Sequence, residues 1–341
     1  MSPRAGAPLA PLTTLGIGGP ARVFMEAKTD DDLETARGEA ARRSLALLAL
    51  GGGSNILVPD AGVDAVVVKM AMNGIAFDGA GDEIILGAGA GARWDDVVDA
   101  AAARGAWGIE NLAGIPGTAG GAAVQNIGAY GAELAPVFAH ADVVDAASGA
   151  RRRVSRADAA FGYRASAFKR DRTLLITRIA LRLSRRAAPN LAYADLARAK
   201  EAGAPLATPA EIAAAVRAIR SGKFPQGGEE GTAGSFFKNP IIPAAEAAAL
   251  AARYPGLPVF PQDDGATAKV SLAWLLDRAL ALKGHAHGGA RLYEKQPLVI
   301  VARAGATAAD VDALAKDVAA RVLAATGIRI EREVETFGAR R

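Results

Sequence analysis

The 341-residue chain contains no cysteine. That excludes disulfides, thiolate nucleophiles, cysteine-ligated zinc and protein-held iron–sulfur clusters together. Histidine is nearly as scarce. His140, His285 and His287 are the full set, too few and too scattered for a histidine-rich metal centre, and no metal is expected. Redox chemistry in such a chain falls to an organic cofactor. Apolar runs are short, and none approaches the ~20 residues of a membrane span. The opening MSPRAGAPLAPLTTLG lacks the continuous apolar core of a signal peptide. No membrane partner is expected, and the cytoplasm is the expected location. Aromatic residues make up only 5%, and none is interleaved with the runs Arg151-Arg152-Arg153 and Arg185-Arg186. These runs read as solvated surface, and no nucleic-acid partner is expected.

What is present is a globular composition: 51% hydrophobic and 22% charged. At ~150 residues per domain, the length favours two or three domains. The net charge is +4, with 30 Arg against 10 Lys. That balance suits anionic ligands such as diphosphates.

Strands are expected at 44–50, 64–70 and 83–86, with a helix over 94–104 whose first turn carries Asp95 and Asp96. The segment 108–131 holds seven glycines in 24 residues and shows no helix or strand period. So long a loop inside a compact domain is usually functional. Strands follow near 141–147 and 174–183. A boundary is expected near 202–207, where Thr208-Pro209-Ala210-Glu211 forms a capping box opening a helix to about 219. Further helices are expected at 243–253, 271–282 and 308–325. Thr307 and Asp310 open the last of these, and Gly327 closes it. Strands are expected at 296–302 and 328–337. On the last, Glu331 and Glu333 would share one face.

Six segments are candidates for chemistry. In 50–58, LGGGSNILV, consecutive glycines let backbone N–H groups converge on an anion, with Ser54 and Asn55 as extra donors; a mere tight turn remains open. Gly87–Ala92 fits the G-x-G-x-x-A pattern, but no regular βαβ alternation follows it. It reads as a strand-to-helix turn. In 108–131, glycines allow backbone to lie against a flat ligand, and Asn111, Thr118, Gln125 and Asn126 add neutral hydrogen-bonding groups. In 161–169, FGYRASAFK, Arg164 can grip a carboxylate or phosphate or be structural. Arg217, Arg220 and Lys223 recur at a helix end, as a diphosphate grip or an ordinary basic terminus. In 234–240, GSFFKNP, Ser235 lacks a nucleophile elbow and a histidine partner, which leaves a proton-donor role.

In this order, TTLGIGGPA (13–21), LGGGSNILV (50–58), GIENLAGIPGTAGGAAVQNIGAYG (108–131), FGYRASAFK (161–169), GSFFKNP (234–240) and EREVETFG (331–338) closely resemble the MurB family, the UDP-N-acetylenolpyruvoylglucosamine reductases of peptidoglycan synthesis. The resemblance spans about 12–338. It implies an α+β chain with an FAD-binding domain of the vanillyl-alcohol-oxidase/PCMH type and a smaller C-terminal α+β substrate domain. The expected divisions are 1–75 and 76–206 for two FAD-binding subdomains, 207–327 for the substrate domain, and 328–341 for a terminal strand returning to the site. It implies non-covalent FAD, NADPH as co-substrate, a UDP sugar as substrate, and a monomer.

By position in the family motifs, FAD would be held by Gly51, Gly52, Gly53, Ser54, Asn55 and Ile56. The second FAD-binding set would be Asn111, Gly114, Ile115, Pro116, Gly117, Thr118, Gly120, Gly121, Gln125, Asn126, Gly128 and Ala129. Arg164 and Glu333 would polarise the substrate carboxylate, and Ser235 would protonate the neighbouring carbon. Tyr163, Tyr193, Arg220, Lys223, Asn239 and Gln296 would contact substrate. The segment 191–196 reads LAYADL where LTYGDL is more usual, which keeps the loop tyrosine, Tyr193. Two rivals remain: a flavin oxidase lacking the sugar-nucleotide site, and a non-catalytic nucleotide-binding module. An oxidase has no use for the GSFFKNP and EREVETFG pair.

Overall fold

The computed structural model describes residues 2–79, 81–225 and 230–339. Positions 340 and 341 of the expected terminal strand lie outside the described residues, as do Met1 and Ala80. Internal contacts divide the chain into two units. The first takes Met1–Ala7, Ala21–Gly53 and Asp64–Gly222; the second takes Pro8–Pro20, Ser54–Val63 and Lys223–Arg341.

The first unit is built on two sheets. One runs in the order Arg4–Pro8, Pro20–Ala27, Val63–Met70, Ala46–Leu50, the last two strands being parallel. Val66, Val67 and Val68 are all fully buried, a run rather than an alternation, as a strand covered on both faces requires. The second sheet is antiparallel, in the order Arg151–Ser155, Phe138–Asp145, Leu174–Ser184, Glu83–Gly89, Ile75–Asp78. Of the expected strand-to-helix turn Gly87–Ala92, Gly87–Gly89 end the strand and Ala90–Ala92 make the turn that leads into helix Trp94–Ala102. Helix Asp30–Arg43, which sequence patterning does not announce, is held by a capping box between Thr29 and Asp32.

The long glycine segment is not the loop that its periodicity suggests. It contains a 3-10 turn, Glu110–Leu112, and a helix, Ala119–Gln125. The helix carries two glycines, poor helix formers. Packing explains its survival: a Cβ on Gly120 would stand 2.9 Å from the Ala90 Cβ, so only a glycine lets it seat there.

In the second unit an antiparallel sheet runs Glu230–Ser235, Gln296–Arg303, Ala290–Tyr293, Ala286–His287. A smaller sheet runs Ile241–Pro243, Thr267–Val270, Val259–Pro261. Helix Ala308–Thr326 has the expected box between Thr307 and Asp310 and the expected left-handed Gly327. Asp60 also caps it, accepting from the N–H groups of Ala308 and Ala309 at 2.7 and 2.9 Å. That bond, together with Thr232 N–H on the Thr14 carbonyl at 2.9 Å, binds the two early segments into this unit.

Two expected elements are corrected. The helix over 271–282 is a short turn, Leu272–Trp274, that widens into a π turn, Leu275–Ala279. The strand over 328–337 shrinks to Glu335–Thr336, paired in parallel with Ile56–Leu57. The division in space also departs from the boundary near 202–207. Helix Pro209–Lys223 stays with the first unit through Gly222, because Arg217 and Arg220 are bonded to it. Among the described residues, no helix is long and apolar enough to cross a membrane.

Candidate active site

In the first unit two glycine turns meet. Strand Ala46–Leu50 delivers Gly51, Gly52 and Gly53, and the loop before helix Ala119–Gln125 delivers Gly117 and Thr118. A Cβ on Gly52 would lie 2.6 Å from the Gly117 Cα, and one on Gly51 would lie 2.9 Å from Thr118 Oγ1. The backbones therefore approach at a distance that only glycine permits. Lys69 Nζ donates to the Gly51 carbonyl, and burial pushes its ammonium below the usual lysine range. Lys69 was not anticipated; its place in an apolar strand hid it.

Gly114 is held at both ends of its residue. Its N–H donates to Asp95 Oδ1 at 2.7 Å, and its carbonyl accepts from Arg220 Nε at 3.0 Å. Arg220 also bonds the Tyr130 side chain, and burial lowers its pKa from the ordinary arginine value. Arg217, three residues earlier, faces two aspartates, Asp95 and Asp99, at 2.8 and 2.6 Å. These contacts tie helix Pro209–Lys223 to helix Trp94–Ala102.

The polar side chains of the loop divide. Asn126 is occupied within the protein: Nδ2 donates to Gly162 O and Glu133 Oε2, and Oδ1 accepts from Ala135 N. Gln125 Oε1 accepts from Lys169 Nζ at 2.7 Å. Asn111 is buried and donates to the carbonyls of Tyr130 and Asn190, each at 2.8 Å. Among the described residues its Oδ1 has no partner. Ile115, Pro116, Gly121, Gly128 and Ala129 are partly or fully exposed. Side-chain-free turns, exposed peptide edges and an unsatisfied buried acceptor fit a large, partly polar ring cofactor with a diphosphate. FAD is such a group.

Arg164 sits with φ of 53°, a left-handed conformation uncommon for a residue with a Cβ. Its Nη2 donates to the Gly128 carbonyl at 2.6 Å. Asn126 and Tyr130 are also left-handed, so such residues gather here, as they do at functional sites. Tyr163 is half-buried beside Arg164. Tyr193 precedes helix Ala194–Glu201 as its N-terminal flanking residue. It is 42% exposed and meets the Tyr130 ring edge-on, with centroids 5.2 Å apart. Burial raises the Tyr130 phenol to about 12.

The second unit brings Ser235 and Glu333 together. Ser235 ends strand Glu230–Ser235 after an irregularity in its pairing, with Gly234 left-handed just before it. The next residue, Phe236, donates its N–H to Leu298 O and accepts the Glu333 N–H at 2.8 Å. Asn55 Nδ2 holds the Glu333 carbonyl at 3.1 Å, and the Glu335 N–H returns to the Asn55 carbonyl. Among the described residues the Ser235 hydroxyl makes no hydrogen bond. Ser54 and Ile56 flank Asn55 in this unit.

Glu331 and Glu333 do not share the face of a strand, since no strand forms there. Glu331 is exposed and paired with Lys238 at 2.8 Å, while Glu333 is half-buried. Asn239 Oδ1 accepts the Leu272 N–H at 3.0 Å, capping that turn. Gln296 opens its strand half-buried, and Lys223 ends its helix half-buried. Among the described residues no group of histidines and carboxylates is placed to hold a metal ion.

Two family models match the chain. An FAD binding domain model matches residues 21–155. A model of the UDP-N-acetylenolpyruvoylglucosamine reductase C-terminal domain matches residues 226–337. The UDP-N-acetylenolpyruvoylglucosamine reductase of Azoarcus sp. is 42% identical over 334 residues, covering 96% of this chain and 95% of that one. The enzyme of the same name from Pseudomonas putida is 39% identical over 332 residues, covering 96% and 97%. The crystal structure of the Thermus caldophilus UDP-N-acetylenolpyruvylglucosamine reductase (MurB) matches over 98% of both chains, at 26% identity and a TM-score of 0.68.

Proposed function

This chain belongs to the UDP-N-acetylenolpyruvoylglucosamine reductase family, and from that premise we propose how its own residues carry out the reaction. It is an FAD-containing oxidoreductase that reduces the enolpyruvyl double bond of UDP-N-acetylglucosamine-enolpyruvate, giving UDP-N-acetylmuramate for peptidoglycan. FAD, which the glycine turns at 51–53 and 114–121 would hold, would supply the two-electron chemistry between NADPH and the enolpyruvyl double bond.

The chain's own residues handle charge and protons. As the terminal carbon gains its hydride, the π electrons move onto the carbon beside the carboxylate, an enediolate in character. Arg164 and Glu333 polarise that carboxylate, and a preset donor or cation there lowers the barrier most when charge develops. Ser235 then gives its hydroxyl proton to the neighbouring carbon and recovers one from water. A serine is a weak acid, but an enediolate is basic enough to take its proton when well positioned. Tyr193, Tyr163, Arg220, Lys223, Asn239 and Gln296 bind the sugar nucleotide. The glycine turns at 51–53 and 114–121 hold FAD through backbone groups, without a covalent link. The enzyme acts as a monomer in the cytoplasm, where nucleotide sugars and NADPH are found.

The observation that carries this reading is that the segment bearing Glu333 is bonded to the residue next to Ser235. The Phe236 carbonyl binds the Glu333 N–H, and the neighbouring serine hydroxyl is left available as a donor. A simple experiment tests it. Purified protein should release all its flavin on acid precipitation and oxidise NADPH only when the enolpyruvyl sugar nucleotide is present. Colourless native protein, or NADPH oxidation driven equally well by oxygen alone, would contradict it.

A further inference from the structure

The reaction as described gives Arg164 a task and Lys169, five residues on, none. Yet Lys169 is only 8% exposed. Its Nζ donates to Gln125 Oε1 at 2.7 Å and to the Arg164 carbonyl oxygen at 3.2 Å. A buried ammonium is costly unless its protons are met, so a lysine here needs a reason beyond packing.

The surroundings supply one. The segment holding Arg164 and Lys169 grips the end of helix Ala119–Gln125 at successive points. Ser166 Oγ donates to Val124 O at 2.7 Å, Lys169 reaches the Gln125 side chain, and Arg164 Nη2 reaches Gly128 O at 2.6 Å. In return Asn126 Nδ2 donates to Gly162 O at 2.9 Å. Within this lattice the Arg164 backbone is left-handed, with φ of 53°. Such a conformation persists only where neighbours over-determine it. The Arg164 carbonyl is the group through which Lys169 can do so.

We infer that Lys169 is a positioning residue for Arg164: its ammonium ties the Arg164 carbonyl to the Gln125 amide and thereby fixes the backbone turn that aims the guanidinium. The inference rests on the proposed role of Arg164 at the substrate carboxylate. Lys169 touches neither substrate nor cofactor. It acts on rate by keeping Arg164 in place before the substrate arrives.

The test measures the two half-reactions separately, without oxygen, on FAD-loaded enzyme. The variants are Lys169→Met, Arg164→Met and the double substitution. Lys169→Met should retain FAD and accept hydride from NADPH at the wild-type rate. Flavin reoxidation by the enolpyruvyl sugar nucleotide should slow about 10–100-fold, the scale of loss when a catalytic group is misplaced by about 1 Å. Substrate affinity should change far less than this rate. Because Lys169 works through Arg164, the double variant should be no slower than Arg164→Met alone.

Reoxidation of Lys169→Met at the wild-type rate would overturn the inference. So would a double variant slower by the product of the two losses, or an equal fall in both half-reactions. If Arg164→Met itself reoxidises normally, the role of Arg164 fails instead. Should Lys169→Met not fold, Lys169→Gln keeps hydrogen-bond donors without the charge. A smaller loss confined to reoxidation is then expected, and no loss, or equal loss in both halves, would overturn the inference.

Discussion

Arg217 grips Asp95 through Nε and Nη2, at 3.0 and 2.8 Å, and the same carboxylate accepts the Gly114 N–H at 2.7 Å. One side chain thus joins helix Pro209–Lys223 to the glycine-rich loop. Asp95→Asn removes the charge from this junction and replaces an acceptor with a donor facing Arg217. Hydrogen bonds to charged groups contribute about 1.5–3 kcal/mol, and a loss of that order is expected. Urea unfolding should show a lower midpoint. An unchanged midpoint would mean that the junction contributes nothing to stability.

The same pair sets a pH dependence. Burial pushes the Asp95 carboxyl up, but its bonds from Arg217 and from the Gly114 N–H outweigh this and hold it below the ordinary 3.8. A carboxyl depressed in the folded state stabilises fully above its unfolded value, and that contribution is lost as pH falls through the folded value. The stability gap between wild type and Asp95→Asn should be constant near neutrality and close below about pH 4. A gap that widens in acid would contradict the assignment.

Gly52→Ala tests the meeting of the two glycine turns. The new Cβ would fall 2.6 Å from the Gly117 Cα, a backbone atom with no rotamer to escape into. Overpacking of this kind costs about 1–3 kcal/mol, and parting the turns should lower flavin content. Gly38→Ala is the contrasting change. Gly38 lies within helix Asp30–Arg43, and a Cβ there would meet nothing within 4 Å. That variant should gain about 0.4–1 kcal/mol and keep its flavin. Equal flavin content in Gly52→Ala and Gly38→Ala would rule out the close approach as a cofactor feature.

Tyr193 is 42% exposed and rests edge-on against Tyr130, so its hydroxyl is not part of the buried core. If it donates to a substrate phosphate, Tyr193→Phe loses a charged hydrogen bond of about 1.5–3 kcal/mol. The KM for the sugar nucleotide should rise roughly tenfold or more. Flavin reduction by NADPH should be unaffected, because the ring and its seat on Tyr130 remain. An unchanged KM would remove the phenol from substrate binding.

Local signals carried much of this fold. Thr307, Asp310 and Gly327 marked a helix whose caps form as expected, and Thr208 with Glu211 did the same for another. Signals failed where tertiary contacts decide. Helix Ala119–Gln125 forms against its propensity because Gly120 packs on Ala90. The 328–337 segment has strand-like residues, but among the described residues its ladder pairing is confined to an isolated bridge with Phe237 and to Ile56–Leu57. At the site, residue type showed that Arg217 was basic, but not that Asp95 and Asp99 would face it from 118 or more positions away. Lys69 was hidden similarly, since a buried lysine and a surface lysine look alike in sequence.

The central claim is that Ser235 protonates the substrate. Its most direct test is stopped-flow spectroscopy of Ser235→Ala, with each half-reaction followed alone and without oxygen. NADPH should reduce the bound flavin at close to the wild-type rate, since that step needs no hydroxyl. Reoxidation by the enolpyruvyl sugar nucleotide should slow by about 10²–10⁴, the range for removing a positioned general acid. Reoxidation at the wild-type rate, or an equal fall in both half-reactions, would contradict the account.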